Sequence, residues 1–199
     1  MKKRRNFVRE MGERRYKRLF VIATEGEKTE PQYFSLFNDR QAIVKIMCLN
    51  RQKGSAPLHV KKSMEDYLIA KKMDLRTDDE AWLVVDKDNW QDDHLRQLYE
   101  WANQKSNYGL ALSNPCFEYW ILLHFEDAKG VSSAKDCCNK LQQYLPNYDK
   151  GIPSGKFTPS MISDAIQRAS NRDQTQDAPW PQSTGSTVYK LVQNIRKTQ

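Results

Sequence analysis

Glycine, proline and long apolar runs are all scarce in this chain of 199 residues. With 8 Gly and 8 Pro it is neither collagen-like nor a linker, and no apolar run approaches the roughly 20 residues of a transmembrane helix. The basic N-terminal stretch lacks the apolar segment of a secretory signal. Hydrophobic residues make up 39% of the chain, enough for one large domain. We expect a cytoplasmic protein with no membrane segment.

Residue patterns for several common chemistries are also missing. The four cysteines include no C-x-x-C pair, so we expect reduced thiols rather than a zinc site. The three histidines are scattered, and none is paired with a nucleophile in a motif. There is no G-x-G-x-x-G, and residues 151–156 are one residue short of a phosphate-binding loop. These absences exclude the zinc-ribbon, Ser/Cys-hydrolase and Walker-type nucleotide-binding classes.

The excess positive charge is confined to one end of the chain. Residues 1–18 hold nine Lys or Arg and two Glu, whereas the remainder holds 23 basic and 23 acidic residues. Such an arm attracts a phosphate backbone without regard to base sequence, and a solubilising terminus is the alternative. The arm residues expected to contact nucleic acid are Arg4, Arg5, Arg14 and Arg15.

Apolar runs and helical periodicity alternate between residues 19 and 130. Strands are predicted at residues 19–24, 42–49, 81–86 and 108–112, with helices between and after them. Thr29 is the expected N-cap of the first helix, and residues 113–115 are expected to begin the helix over 117–125. The alternation predicts an α/β domain with a mostly parallel, four-stranded, Rossmann-like sheet covered by helices.

Residues 131–199 have little strand character and predict a helical C-terminal extension packed on this core. Helices are expected at 132–145, 159–170 and 187–196. The intervening residues 171–186 form a polar loop, and a loop of that length in a compact domain is either mobile or functional.

Acidic residues follow the first and third predicted strands. Glu25 comes directly after the first strand, and Asp86 and Asp88 lie at the end of the third. The carboxyl ends of parallel strands lie at one edge of a sheet, so neighbouring strands would bring these carboxylates together. Carboxylates held together favour a hard cation such as Mg²⁺ or Mn²⁺, which suits phosphoryl chemistry. The alternative for the D-x-D is an ordinary polar strand-to-loop transition.

Five further charged residues are candidates for the same site, and Glu27 is one of them as a further metal ligand. Glu30 is either another metal ligand or a favourable charge in the first turn of a helix. Glu118, early in an otherwise apolar helix, serves either as a metal ligand or general base, or as a partner of the helix dipole. Lys28 and Lys87 either contact phosphate or offset the acidic charge.

Three segments together resemble the RloB-like family of bacterial defence proteins. They are TEGEKTEPQYF at residues 24–34, VVDKDNW at 84–90 and SNPCFEYWILLHF at 113–125. The ends of the first and third predicted strands also resemble the TOPRIM domain of topoisomerases, primases and OLD-family nucleases. In this resemblance Glu25 matches the family's single glutamate, and Asp86 and Asp88 match its D-x-D.

The resemblance implies a TOPRIM-like fold and a Mg²⁺-dependent nuclease of anti-phage defence that uses Glu25, Asp86 and Asp88. Glu118, singled out by its position in an apolar helix, completes the expected catalytic set. The substrate would be DNA or RNA, tRNA included. The resemblance also implies a partner ATPase of the AAA or ABC type, which would explain why no ATP site is seen here. OLD nucleases carry a further acid where this chain has Thr29, with Glu30 next, so one-metal and two-metal sites both stay open.

Two other functional classes fit the same residues. One is a non-catalytic regulatory subunit of a defence ATPase that senses metal or nucleotide or binds nucleic acid. The other is a different D-x-D enzyme, such as a phosphatase or sugar-nucleotide transferase. The sequence leaves monomer and homodimer as alternatives.

Overall fold

The computed structural model describes residues 18–38, 44–49, 57–71, 75–76, 78–87, 90–146, 148–153, 155–173 and 178–197. Strands and helices alternate through the first two thirds of these residues, and helices dominate the last third. In chain order the elements are β1 (Arg18–Thr24), α1 (Thr29–Ser35), β2 (Val44–Leu49), α2 (Pro57–Ala70), β3 (Glu80–Asp86), α3 (Asp92–Ala102), β4 (Tyr108–Asn114), α4 (Phe117–Leu122), α5 (Ala134–Tyr144), α6 (Pro159–Ser170), β5 (Gly185–Ser186) and α7 (Val188–Arg196).

The strands form one sheet in the order β2-β1-β3-β4-β5. The first four strands are parallel, as the alternating pattern predicts, and the fold is α/β and Rossmann-like. The sequence predicts four strands, whereas the sheet has five, because β5 pairs antiparallel with the end of β4. It lies in the region predicted as a polar loop, and two residues are too few to show a strand periodicity.

Both faces of the sheet are covered, which explains the continuous apolar runs of the central strands. In β1, the side chains of Phe20 and Ile22 pack with α1 and α4 to α7. The side chains of Val21 and Ala23 point to the opposite face and pack with α2 and α3. Adjacent residues of a strand face opposite sides, so a strand between two helical layers is apolar at every position.

The starts of two helices differ from the sequence prediction. Lys28, not Thr29, occupies the N-cap position of α1, and the Thr29 hydroxyl donates to the carbonyl of Lys150 instead, at 3.0 Å. Ser113 does not begin the next helix but is the last residue but one of β4, where its hydroxyl bonds that of Ser186 at 2.9 Å. In both places the side chain bonds a residue distant in sequence instead of capping a helix.

Arg18, counted with the basic arm in the sequence, is the first residue of β1. Its guanidinium pairs with the buried carboxylate of Glu80 at the start of β3. Glu80 also accepts hydrogen bonds from the indole of Trp82, at 2.6 Å, and from the amide of Asn194. Because Asn194 lies in α7, this cluster attaches the C-terminal helices to the core.

Two further findings concern the described residues as a whole. No helix among them combines the length and the apolar character needed to cross a bilayer. Their four cysteines are free thiols, of which Cys116 and Cys137 are buried, as expected from the spacing.

Candidate functional site

A polar cavity of about 530 Å³ opens at the carboxyl ends of β1 and β3. It lies between these strand ends, the first turns of α1 and α4, and the segment that joins α5 to α6. Four of its acidic residues, Glu25, Glu30, Asp86 and Glu118, are the buried or half-buried ones singled out from the sequence, and the fifth, Glu27, is exposed. The lining residues are Glu25, Gly26, Glu27, Lys28, Thr29, Glu30, Asp86, Glu118, Asp149 and Lys150.

Glu25 and Asp86 meet because β1 and β3 are neighbours in the sheet. Thr24 is in register with Val84, and the backbone N–H of Glu25 continues the ladder by donating to Val84 at 3.1 Å. The Glu25 carboxylate then accepts hydrogen bonds from the backbone N–H of Asp86, at 3.2 Å, and from the indole of Trp90, at 3.3 Å. The predicted adjacency of the two acidic strand ends is confirmed, and Glu25 is oriented by both of its oxygens.

Glu30 folds back over Gly26 and is almost fully buried. The backbone N–H of Gly26 donates to Glu30 Oε1 at 2.9 Å. A Cβ at position 26 would overlap the Glu30 carboxyl group, so glycine is needed for this approach. Burial, followed by the nearby charges of Glu118 and Glu25, raises the pKa of Glu30 from 4.5 to about 7. The carboxyl group is therefore poised to exchange a proton near neutral pH.

Asp86 is subject to the same forces. Burial raises its pKa well above the ordinary value, and the charges of Glu30, Glu25 and Glu118 add to this. A backbone N–H bond from Phe117, the first residue of α4, acts in the opposite direction. Mutual repulsion of buried carboxylates is relieved either by a proton or by a shared cation. The electrostatics of the cavity thus favour a bound positive charge.

Glu118 reaches the cavity from α4 and is held by the C-terminal third of the chain. The Tyr148 hydroxyl donates to Glu118 Oε1 at 3.2 Å and lies 3.2 Å from the Thr29 hydroxyl. The backbone N–H of Ile152 donates to Gln32 of α1 at 2.7 Å. These bonds fasten residues 148–152 across the mouth of the cavity, which places two charged residues that follow Tyr148 in its wall.

Those two residues, Asp149 and Lys150, were not anticipated from the sequence. They lie in a segment between two helices and belong to no motif. Lys150 has a positive φ of 54°, a conformation that its hydrogen bond from Thr29 supports. No local signal could have found these residues, because only the packing of α5 and α6 brings the segment to β1 and β3.

The remaining predicted site residues divide into three groups. Lys28 lines the cavity, and its contact with phosphate stays a prediction. Lys87 does not line it, although its backbone N–H donates to Ser113 of the neighbouring strand at 2.7 Å. Five predicted residues lie outside the part of the chain that the structure describes: Asp88, Arg4, Arg5, Arg14 and Arg15.

The donor set of the cavity fits a hard divalent cation in its chemistry. All four carboxylates supply oxygen ligands, and two of them have pKa values raised by burial. The described residues contain no ready-made cluster of three or more His, Cys, Asp or Glu around one metal position. Mg²⁺ does not require one, since it keeps several waters and commonly takes only one or two protein carboxylates.

Histidine chemistry has no place in this cavity. His124 is buried beneath α1, where its Nε2 bonds the Tyr33 hydroxyl at 3.0 Å. Burial lowers the pKa of His124 to about 4, so the ring stays neutral at physiological pH. His124 therefore serves the packing of α1 against α4, in agreement with the lack of a nucleophile–histidine motif.

Comparison with known proteins identifies a family. The sequence model of a family described as RloB-like protein matches residues 20–195. The match runs from β1 to α7 and so includes both the cavity and the C-terminal helices that close it. No curated protein and no solved structure matches the chain.

Proposed function

This chain belongs to the RloB-like family, and from that premise we propose that it is a metal-dependent nuclease that hydrolyses phosphodiester bonds in nucleic acid. One observation carries the proposal: the carboxylates of Glu25, Glu30, Asp86 and Glu118 line a single open cavity. Buried acids crowded in this way destabilise a fold when ionised, so their presence together needs a functional reason.

Glu25 and Asp86 are the residues we assign to hold the metal, with Glu30 beside them. Asp88 and Glu118 are the remaining assigned acids. When bound, Mg²⁺ or Mn²⁺ supplies a Lewis acid for a phosphate oxygen and lowers the pKa of a water. The Glu25 carboxylate accepts hydrogen bonds from two rigid groups, the Asp86 backbone and the Trp90 ring, so it is held in place before any ligand arrives.

Glu30 is suited to move a proton during hydrolysis. In the metal-free cavity its pKa of about 7 lies near working pH. A cation bound beside Glu30 would favour the ionised form, which can accept a proton as a general base. Oε1 is held by the Gly26 N–H, so Oε2 is the atom that would take or give the proton. Lys28, in the cavity wall, would attract the phosphate backbone, as would the basic arm.

Family membership also supports a role in anti-phage defence together with a partner ATPase. The described cavity is lined by acids and lysines and has no glycine-rich phosphate loop, so ATP hydrolysis would be left to that partner. We propose that the partner or a phage signal releases the nuclease activity.

The test is cleavage of labelled single- and double-stranded DNA, total RNA and tRNA, with Mg²⁺ or Mn²⁺ against EDTA, with and without the ATPase encoded alongside. Glu25→Gln and Asp86→Asn should each lower the cleavage rate about 100-fold or more. Glu27→Gln is the matched control, because Glu27 lines the same cavity but is exposed. It should retain activity within a few-fold.

Cleavage that persists in EDTA, or in the Glu25→Gln, Asp86→Asn double variant, would refute the proposal. If folded protein cleaves no substrate even with its ATPase, the nuclease proposal is wrong. Metal binding by that same sample would then favour the regulatory-subunit alternative.

A further inference from the structure

A second, smaller cleft lies at the outer edge of β4, away from the carboxylates. Its volume is about 200 Å³, and it is bounded by α3 on one side and by the start of α7 on the other. The residues relevant to its chemistry are Tyr99, Tyr108, Leu110, Trp180 and Lys190, with Trp82 behind them. None of them takes part in the cavity proposed for the metal.

The backbone of β4 has an open edge here. β5 pairs only with Ser113 and Asn114. The Ala81 N–H donates to Asn107, and this fixes Gly109 as a residue whose backbone faces β3. Tyr108 and Leu110 alternate with it, so their backbone groups face outward. Among the described residues, no hydrogen bond is made by the N–H or C=O of Leu110, or by the C=O of Tyr108.

These three groups form a short acceptor–donor–acceptor pattern along the cleft. Leu112 is already satisfied, since its N–H and C=O both bond Thr187. An extended peptide would therefore find only one N–H and two carbonyls before Thr187 blocks the edge. A small planar ring needs no more than that.

The walls of the cleft are aromatic. The rings of Tyr99 and Trp180 meet edge to face at 6.3 Å between centroids, and Tyr99 is 39% exposed. The Trp180 indole N–H is buried and has no hydrogen-bond partner in the described part of the chain. Unsatisfied buried donors are uncommon in folded proteins, and a ligand acceptor is one way to satisfy them. Gly109 lets the Trp82 ring lie against the strand, where a Cβ would overlap it.

We propose that this cleft binds an adenine-type nucleobase through the outer edge of β4. Adenine carries an exocyclic amino donor beside a ring-nitrogen acceptor. The Leu110 N–H would bond the ring nitrogen, and the carbonyl of Leu110 or Tyr108 would accept from the amino group. Aromatic side chains supply surfaces on which a base stacks. The volume is below the roughly 300–1,000 Å³ of sites that enclose drug-sized ligands, so the sugar and phosphate would lie outside.

This inference goes beyond the proposed nuclease and does not depend on it. The base would belong either to a free adenine nucleotide or to an adenine in a nucleic-acid strand. The recognition chemistry is the same in both cases.

The test is equilibrium binding to the full chain by calorimetry, with adenosine, AMP and N6,N6-dimethyladenosine as probes. The dimethyl compound keeps the ring nitrogens but has no amino hydrogen to donate. We expect adenosine and AMP to bind saturably and about tenfold more tightly than the dimethyl compound. Tyr99→Ala and Trp180→Phe should each weaken adenosine binding several-fold. Asp86→Asn and Ile69→Ala, the latter at an exposed apolar side chain on α2, should leave it unchanged.

The source of the base follows from comparing AMP with oligoadenylate and oligothymidylate. Oligoadenylate that binds about tenfold more tightly than AMP, with oligothymidylate weaker, identifies a base in a strand. Equal affinities of AMP and oligoadenylate identify a free nucleotide. The proposal is overturned if adenosine, AMP and oligoadenylate all fail to bind at millimolar concentration. It is also overturned if N6,N6-dimethyladenosine binds as well as adenosine, or if folded Tyr99→Ala binds adenosine like the wild type.

Discussion

Replacing Glu30 with glutamine should stabilise the metal-free protein, and the gain should grow with pH. The folded-state pKa of Glu30 is about 7, against 4.5 as the ordinary value. Between these values the folded protein holds a proton that the unfolded chain has released. The contribution of Glu30 to stability is therefore highest below pH 4.5 and falls as the pH rises through about 7, above which the ionised form predominates.

The size of the effect follows from these two values. One pH unit corresponds to about 1.4 kcal/mol, so ionising Glu30 in the folded state costs about 3 kcal/mol above pH 7. Glutamine keeps an oxygen that can accept from the Gly26 N–H and has nearly the same volume, but it carries no charge. The variant should therefore gain about 3 kcal/mol at pH 8 and less than about 1 kcal/mol at pH 4.5.

Urea unfolding in EDTA at pH 4.5 and pH 8 measures this difference. Glu27→Gln is the control, because Glu27 is exposed at the same cavity and its change should stay within about 0.5 kcal/mol at both pH values. The reasoning is wrong if the Glu30→Gln gain is the same at pH 4.5 and pH 8, or if the variant is less stable at pH 8.

Adding Mg²⁺ to the same experiment separates the electrostatics from the metal assignment. A bound cation stabilises the ionised carboxylate, so Mg²⁺ should stabilise the wild type more than Glu30→Gln and shrink the difference between them at pH 8. If the difference is unaffected at saturating Mg²⁺, Glu30 does not take part in holding the metal.

Three further substitutions test how the site and the core are built. Gly26→Ala should force the Glu30 carboxyl group from its bond and cost about 1–3 kcal/mol in urea unfolding; an unchanged stability would show that Glu30 moves freely. Tyr148→Phe removes the hydroxyl that bonds Glu118 and should lower the free energy of unfolding by about 1 kcal/mol and also lower the cleavage rate. If neither the stability nor the rate changes, this bond does not position Glu118. Trp101→Ala removes a buried ring of α3 and should cost about 3–5 kcal/mol in the same unfolding assay, and a cost below 1 kcal/mol would contradict its place in the core.

The C-terminal helices have a larger part in the site than a simple extension would have. Tyr148 and Lys150 reach the cavity from the segment after α5, and Asn194 of α7 bonds Glu80 at the opposite end of the sheet. Removing these helices would therefore expose the core face that α1 and α4 share with them and release Glu118. The core and the C-terminal third act as one folded body.

The acidic strand ends could be predicted because they depend on local pattern and on a general rule of sheets. An apolar run followed by Glu25, and another ending at Asp86, identify two buried strands, and parallel strands end at one edge. Glu118 was predicted for a similar reason, as a charge in an apolar helix. The sequence identified Glu30 as a candidate, but it did not predict that Glu30 is buried against Gly26 or that its pKa is raised.

What the sequence determined by itself was therefore the type and order of the elements and the acids at their ends, since both follow from the spacing of apolar and charged residues along the chain. Tertiary structure alone decided that Thr29 bonds Lys150 rather than capping its helix, that residues 185–186 complete the sheet, and that Tyr148 holds Glu118. These contacts join residues about 30 to 120 positions apart. Their partners are chosen by the packing of helices and sheet, which no local pattern of residues records.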